Sequence, residues 1–528
     1  MTKVQKTLDK NPLFFYLFIL SFLGKIIFTR KEGDIIMRKT LVLIVVLFLL
    51  IGSAGIGQAW QGRMRGMNEP YGLLEDESDF LIHPAKIVQG QGTRFYGDYR
   101  FTYTETPDWD YSIDVLGDEF WHYRGSSDQD YKHNALVGTS FPLCTGRMGV
   151  FFSYDGNRAD FSGHERYSYG SSYKYALDRN ADNFSLNLIY GLPVKGFDLG
   201  MELGVAYRDE NQENWINAKG GGEGTQNYIW SWDVPKRALS PFMMPYNSSY
   251  WELLWKAGIS KKLSNMTIDL SARGGYILSS DSDNLYEYVY YYDYPGTPNY
   301  HSDMNGDVRG YRFGSDLWVR YSLKEGLDLP FLVSVDFSRK NRDGEGIGTR
   351  SSDSGYLYMY ENTTKSFELK AGGGVEKSIK GCGRLGAGLY YNYLQNRENF
   401  WVDREGSFVN ESSFPYHKEH RLILALAGEQ ELSSCTLRGG LNFYYGWVVT
   451  DDYKHEDINL TNDGRNWGIG ASLGLTKKMK CLTLEPFVNG GFREFDVDGG
   501  GYADGIVKMK KEKQEWYTGA GLSILFDM

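Results

Sequence analysis

The segment Leu437-Arg438-Gly439-Gly440-Leu441-Asn442-Phe443-Tyr444-Tyr445-Gly446-Trp447 decides how the chain must be read. Leu437, Leu441, Phe443, Tyr445 and Trp447 share one parity, and Arg438, Gly440, Asn442, Tyr444 and Gly446 share the other. Successive side chains of a β-strand point to opposite faces, so this is a strand with one apolar face and one polar or small face. The pattern recurs. Trp467, Ile469, Ala471, Leu473 and Leu475 alternate with Asn466, Gly468, Gly470, Ser472 and Gly474. Phe331, Val333, Val335 and Phe337 alternate with Leu332, Ser334, Asp336 and Ser338. This alternation dominates from about residue 93 to the carboxyl end.

Composition narrows the class. The 528 residues include 63 Gly and 40 Tyr, are 16% aromatic and carry a formal net charge of -10. A hydrophobic content of 41% is too low for a helical transporter, which needs repeated apolar runs of about 20 residues. The acidic balance argues against a nucleic-acid partner. Four Cys form neither a zinc-binding CxxC pair nor a disulfide scaffold. Gly and Tyr at this density suit many long strands.

The amino-terminal region reads as an address. Met37-Arg38-Lys39 precedes an apolar run from Leu41 to Ile51, followed by the small-x-small pattern Gly57-Gln58-Ala59. Residues 37–59 are therefore expected to be a secretory signal, with Trp60 as the first mature residue. The run is too short for a spanning helix. Residues 1–36, with a second apolar stretch interrupted by Lys25, read as an upstream extension. Residues 60–92 are expected to form a periplasmic segment or short plug in which Pro84 fixes a turn, and 93–528 the barrel.

Short turns and long stretches alternate along that barrel region. Short ones fall near Leu143-Cys144-Thr145, Pro193-Val194-Lys195-Gly196, Lys261-Lys262-Leu263-Ser264, Lys324-Glu325-Gly326, Ile379-Lys380-Gly381, Leu432-Ser433-Ser434 and Lys477-Lys478-Met479-Lys480. Between them lie polar, Tyr-rich stretches at about 105–131, 155–181, 208–247, 280–309, 341–364, 395–418, 450–465 and 495–511, read here as loops. Seven turns and eight loops connect sixteen strands. The expected fold is all-β, a transmembrane antiparallel up-and-down barrel of about 16 strands, with short periplasmic turns and long extracellular loops. Only a closed barrel lets strands cross hydrocarbon without unpaired edges. The outward parity also carries aromatics at one rim. Tyr154, Tyr207, Tyr276, Phe337, Tyr393, Trp447 and Phe492 end strands running toward the long loops; Phe184, Trp251, Tyr311, Phe367, Trp467 and Trp516 begin the returning ones.

The closing segment Tyr517-Thr518-Gly519-Ala520-Gly521-Leu522-Ser523-Ile524-Leu525-Phe526 resembles the carboxy-terminal assembly signal of bacterial outer-membrane β-barrel proteins, with porin-like barrels as the nearest type. Gly519, Leu522, Ile524 and Phe526 carry the likeness; Asp527 and Met528 extend beyond the usual terminal aromatic. The resemblance implies a cell outer-membrane location, with outer-membrane lipid and the barrel assembly machinery as partners. Upstream, the stretch from Glu75 to Lys86 resembles the amino-terminal Asn-Pro-Ala segment of long-chain fatty-acid transporter-like barrels, with His83 replacing the Asn and Lys86 the following small residue. The sixteen strands counted here exceed the fourteen of that family.

By parity, the inner face carries charge: Glu252, Lys256, Asp269, Arg273, Arg312, Asp316, Arg320, Asp336, Arg438, Glu485 and Arg493. At mid-membrane, such a charge facing lipid would cost about 2–4 kcal/mol, so these residues require a wet or polar interior. Either they line an aqueous channel, or they pair across strands and close the lumen. Sixteen strands are too wide for side chains alone to fill, which favours an open pore. Inward glycines such as Gly372, Gly374, Gly386 and Gly388 keep its wall thin. The third loop, with its Gly220–Gly224 run, Trp215, Tyr228, Trp230 and Trp232, could fold inward as a constriction. No GxSxG elbow, HExxH helix or phosphate loop appears, the eight His lie mostly at loops, and the acidic loop clusters match no twelve-residue calcium loop. No catalytic residue, metal or cofactor is implied. The expected function is a porin-like channel for passive diffusion of small hydrophilic solutes. The alternatives are a ligand-selective transporter of hydrophobic molecules with an amino-terminal plug, and a non-conducting surface or adhesion barrel.

Overall fold

The computed structural model describes residues 73–74 and 77–528, except 107–108, 116–117, 126–127, 168–171, 220–245, 282–285, 291–299, 351–354, 381, 405–406, 456–457 and 502–506. The upstream extension, the signal and the tip of the third loop, with Tyr228, Trp230 and Trp232, lie outside the described residues.

Among the described residues, nineteen strands follow two short 3-10 turns, Glu77–Leu81 and Pro84–Gln89. The strands are β1 (Arg94–Thr106), β2 (Trp109–Val115), β3 (Asp118–Gly125), β4 (Asp128–Leu143), β5 (Gly146–Tyr167), β6 (Ser172–Val194), β7 (Phe197–Lys219), β8 (Tyr246–Lys262), β9 (Met266–Asp281), β10 (Tyr286–Tyr290), β11 (Tyr300–Lys324), β12 (Leu327–Arg350), β13 (Gly355–Ile379), β14 (Gly383–Arg404), β15 (Ser407–Glu431), β16 (Thr436–His455), β17 (Ile458–Met479), β18 (Leu482–Gly501) and β19 (Val507–Asp527). Every pairing is antiparallel between chain neighbours, apart from those that bridge the small insertions and the closure. Closure is made by β1 against β19, in register from Arg94–Asp527 to Glu105–Trp516.

Sixteen strands are the staves of the barrel, as the turn spacing predicts: all but β2, β3 and β10. Among the described residues the short β10 pairs with β11. The β2–β3 hairpin occupies the first outer stretch, where β2 continues the sheet beside β19 and β3 beside β5. The stretches read from sequence as loops are largely strand. The β5–β6 ladder runs out to Arg166–Ser172 and the β12–β13 ladder to Thr349–Gly355. The sequence reading stopped each strand where its apolar face stopped. Backbone pairing needs no lipid, so ribbons continue into water beyond the membrane.

The short turns fall where expected. Gly326 turns the chain with φ 73, a conformation that suits glycine, while Cys144 adopts φ 54 in a two-residue turn. The carboxyl end also serves closure. Arg94 pairs with Asp527 at 2.8 Å, and the Met528 amide donates to the Thr93 carbonyl at 2.9 Å. Asp527 and Met528 thus tie the last strand of the wall to the start of the first at the short-turn rim.

Parity sorts the side chains as lipid requires. Leu441, Phe443, Tyr445 and Trp447 are exposed on the exterior, and the alternate Gly440, Gly446 and Val448 are buried. The rim aromatics form a connected belt. Tyr154 meets Phe184 at 5.0 Å, Tyr207 meets Trp251 at 5.0 Å, Phe367 meets Tyr393 at 6.1 Å, and Phe492 meets Trp516 at 4.6 Å. Two His join this belt instead of lying in loops. His420 stacks on Trp447 at 5.0 Å, and Tyr99 Oη lies 2.9 Å from His133 Nδ1. Such a belt sits at the membrane–water interface. Substituting Leu441→Arg is expected to lower barrel stability by about 2–4 kcal/mol, while Asn442→Arg on the inner face changes it little. Urea unfolding in lipid vesicles measures both.

Candidate functional site

The site is the lumen at its short-turn end, and the chain upstream of β1 occupies it. Two apolar clusters anchor this segment. Phe80 and Ile87 pack with the wall residues Tyr96, Phe151, Ile189 and Leu525, with Leu81 and Leu136 beside them. The Phe80 ring lies 5.6 Å from Tyr96 and 5.3 Å from Phe151. Leu73 and Leu74, both fully buried, pack with Ala427 across the barrel.

Inward glycines admit the segment. A Cβ on Gly200 would collide with the backbone of Pro84 and Ala85, and one on Gly258 with the His83 ring. Gly374 and Gly386 accommodate the Leu73 side chain. Those glycines do more than thin the wall; they shape the seat of the plug.

Polar contacts lock the same segment. The Lys86 ammonium lies 3.2 Å from Asp79 and 3.1 Å from Asp269, with all three side chains almost fully buried. Ser260 donates to Asp269 at 2.5 Å. Lys256 donates to the Leu81 carbonyl at 2.6 Å and pairs with Glu202 at 3.1 Å. Arg320 reaches the Leu73 carbonyl at 3.4 Å. His83 Nε2 donates to the Leu270 carbonyl at 3.0 Å. Burial holds the His83 imidazole below its usual range, opposed by the nearby Asp269 carboxylate. A neutral ring there removes one cost of docking.

Most of the other inward charges singled out from the sequence fall into two groups. Near the short-turn end, opposite signs alternate around half the wall: Arg320 with Glu376, Glu376 with Arg384 at 3.1 Å, Arg384 with Glu429 at 2.7 Å, Glu429 with Arg438 at 3.3 Å, and Arg438 with Glu485 at 3.6 Å. Thr476 caps Glu485 at 2.9 Å. Higher in the lumen, Glu252 pairs with Arg208 at 3.1 Å and Arg312 at 2.9 Å. Arg273 bridges Asp316 and Asp336, and Asp316 also accepts from Ser271 at 3.0 Å and Ser334 at 2.6 Å. Arg493 stands apart, exposed to the lumen over the Tyr517 ring at 5.1 Å.

The structure thus brings Arg320, Arg438 and Glu485 into one belt and Glu252, Arg273, Arg312, Asp316 and Asp336 into the upper group, while Lys256 and Asp269 meet the plug. Sequence reasoning missed Glu202, Arg208, Glu376 and Glu429, partners that complete these pairs. Parity alone could have found them, because Glu376 and Glu429 share the inner face with Gly374 and Ala427. It also left the plug charges Asp79 and Lys86 without partners. Asp79 and Lys86 pair with each other, and Lys86 also meets Asp269 on β9, a contact beyond any local pattern. Among the described residues, no group of His, Cys, Asp and Glu is arranged to hold a metal.

No protein-family model matches the sequence, and no curated protein matches it. Several solved structures are similar in form. A FadL homologue from Pseudomonas aeruginosa is 9% identical, with a TM-score of 0.42 over 90% of this chain and 100% of that one. The toluene transporter TodX of P. putida is 9% identical, with a TM-score of 0.40 over 89% of this chain and 99% of that one. The toluene transporter TbuX of Ralstonia pickettii is 10% identical, with a TM-score of 0.38 over 90% of this chain and 100% of that one. With its closed sixteen-stave wall, apolar exterior and interfacial aromatic belt, the chain is an outer-membrane β-barrel protein.

Proposed function

We propose that the protein is a plug-gated, ligand-selective transporter of apolar or amphipathic small molecules across the outer membrane. The observation that carries this reading is the segment from Leu73 to Gly90, lodged in the lumen by two apolar clusters and a buried ion pair. Free diffusion needs a continuous water path, and a segment seated in the lumen at the short-turn end narrows it. Against the plug lies a cavity of about 240 Å3. Leu81, Leu136, Phe151 and Ile189 give it apolar lining, and Asp98, Asn134, Glu202 and Lys256 give it polar lining. Such a mixed lining suits a small ligand with one greasy and one polar part.

The second reading is passive diffusion of small hydrophilic solutes. It draws support from the upper lumen, where Arg208, Arg273 and Arg312 alternate with Glu252, Asp316 and Asp336. Planar-bilayer recording with the full chain separates the two. Gated transport predicts electrical silence together with saturable binding of a fluorescent naphthylamine probe. Stepwise ohmic conductance from the intact chain would establish the diffusion reading instead.

A further inference from the structure

We propose that the inner wall above the plug carries a binding site for a neutral, hydroxyl-rich head group, so that the ligand is a glycoside-like molecule with an apolar tail. This rests on the transport reading and gives it a substrate class.

The observation is a row of polar side chains on the inward parity. Asn134 is opposite Asp155, Asp155 is opposite Asn183, and Asn183 is opposite Arg208, in direct register across β4, β5, β6 and β7. In the belt near the short turns, carboxylates and guanidinium groups pair directly. Here an amide stands between Asp155 and Arg208. Asp155 accepts from Asn134 and is open to the lumen. Arg208 holds Glu252 through Nη2 at 3.1 Å, while its Nε is buried without a hydrogen-bond partner. The Oδ1 atoms of Asn183 and of Asn157, two residues beyond Asp155 on β5, are likewise unpartnered. Unmet polar groups of this kind are costly to bury, so folding alone does not favour them. Both asparagines are half-buried, and the terminal torsion of an amide is soft, so each can turn its unpaired oxygen toward a ligand.

These groups line two adjoining cavities. The lower one, against the plug, has Leu81, Leu136, Phe151 and Ile189 in its lining. The upper one, of about 250 Å3, has Asn157, Asn183, Arg208 and Glu210 in its lining. Asn134 and Asp155 belong to both. An apolar tail in the lower cavity therefore leaves its head beside the polar row. The chemistry of that head follows from which charges are already matched. Lys256 pairs with Glu202 at 3.1 Å and donates to the Leu81 carbonyl, and Lys132 pairs with Asp130 at 2.9 Å. With Arg208 on Glu252, each described cation lining the two cavities already holds a carboxylate. An anionic head would gain no new ion pair there and would be repelled by Asp155. A cationic head would satisfy Asp155 and the amide oxygens but not the Arg208 Nε–H, which needs an acceptor. A hydroxyl both donates and accepts, so neighbouring hydroxyls satisfy the carboxylate, the amides and the guanidinium together.

The test uses the full-length protein in lipid nanodiscs free of glycosidic detergent, with isothermal titration calorimetry reading affinity. The probes are hexyl β-glucoside, its hydroxyl-free analogue hexyloxytetrahydropyran, hexanoate and hexylamine. The variant carries Asp155→Leu and Asn183→Leu together. The control is Asn392→Leu, on β14 halfway around the wall, where the native amide donates to Glu368. Retention of the heat-modifiable band in gels verifies that each barrel is closed. The intact protein is expected to bind the glucoside on the order of a hundredfold more tightly than the hydroxyl-free ether. The double variant is expected to lose that preference and the control to keep it. Equal binding of the ether by the intact protein, or an unchanged preference in the double variant, would overturn the proposal. Tighter binding of hexanoate or hexylamine than of the glucoside would overturn it as well. Saturable naphthylamine binding without a glucoside preference overturns this assignment alone, whereas failure of both probes to bind overturns the transport reading with it.

Discussion

Deleting residues 60–92 is expected to turn an electrically silent barrel into a channel with stepwise ohmic conductance. The wall does not need this segment to close. Its ladder is continuous from β1 through β19 and back, and Arg94, Asp527 and Met528 complete the rim without it. Removing Leu73, Leu74, Phe80 and Ile87 leaves behind Gly200, Gly258, Gly374 and Gly386, which have no side chains to fill the vacated space. A sixteen-strand wall is too wide for its remaining side chains to seal. Asp269 loses its contact with Lys86 and becomes hydrated, a change that water in the lumen makes inexpensive. Heat modifiability would verify the closed barrel. Silence in a folded deletion variant would show that the barrier lies elsewhere, and the gating reading would fall.

The second large effect concerns the alternating charge belt. Glu376 is 2% exposed and lies between Arg320 and Arg384. Glu376→Ala removes the buried carboxylate shared by two guanidinium groups, leaving Arg384 with Glu429 at 2.7 Å and Arg320 with Asp328 at 4.0 Å. Breaking a buried pair this way costs about 3–5 kcal/mol, and the partial exposure of both arginines places the expected loss near the lower end. Arg320 also donates to the Leu73 carbonyl, so the variant is expected to loosen the plug and leak current as well. Glu368→Ala serves as the comparison. Its pair with Lys370 at 3.0 Å is about one-third exposed on both sides, and its loss is expected to cost about 1 kcal/mol or less. Urea unfolding midpoints in vesicles distinguish the two. Equal shifts would show that the belt is a set of independent solvated pairs.

Much of the architecture was legible locally. Leu441 and Asn442 announce opposite faces because a strand side chain alternates whatever its neighbours do. Gly326 and Cys144 mark turns, and the spacing of turns counts the staves. The rim aromatics were legible for the same reason, since Trp447 and Trp467 are recognisable once parity is assigned. Strand ends were less legible. The ladder between β12 and β13 continues past Phe337 and Phe367 into polar sequence, where backbone pairing persists after the apolar signal has gone.

Inward direction followed from parity alone, which placed Asp269, Arg320 and Glu485 toward the lumen. Which charges meet did not follow. Lys86 finds Asp269, Leu73 seats against Gly374 and Gly386, and Arg94 finds Asp527 at the far end of the chain. Side-chain alternation is a property of adjacent residues and is written in any short window. Contacts across a closed wall depend on shear, on register and on what enters the lumen, and these arise only when distant strands pair. So the sequence by itself determined that this chain builds a lipid-facing barrel with a charged interior. Only the tertiary structure decided that residues just before β1 seat inside that interior at its short-turn end.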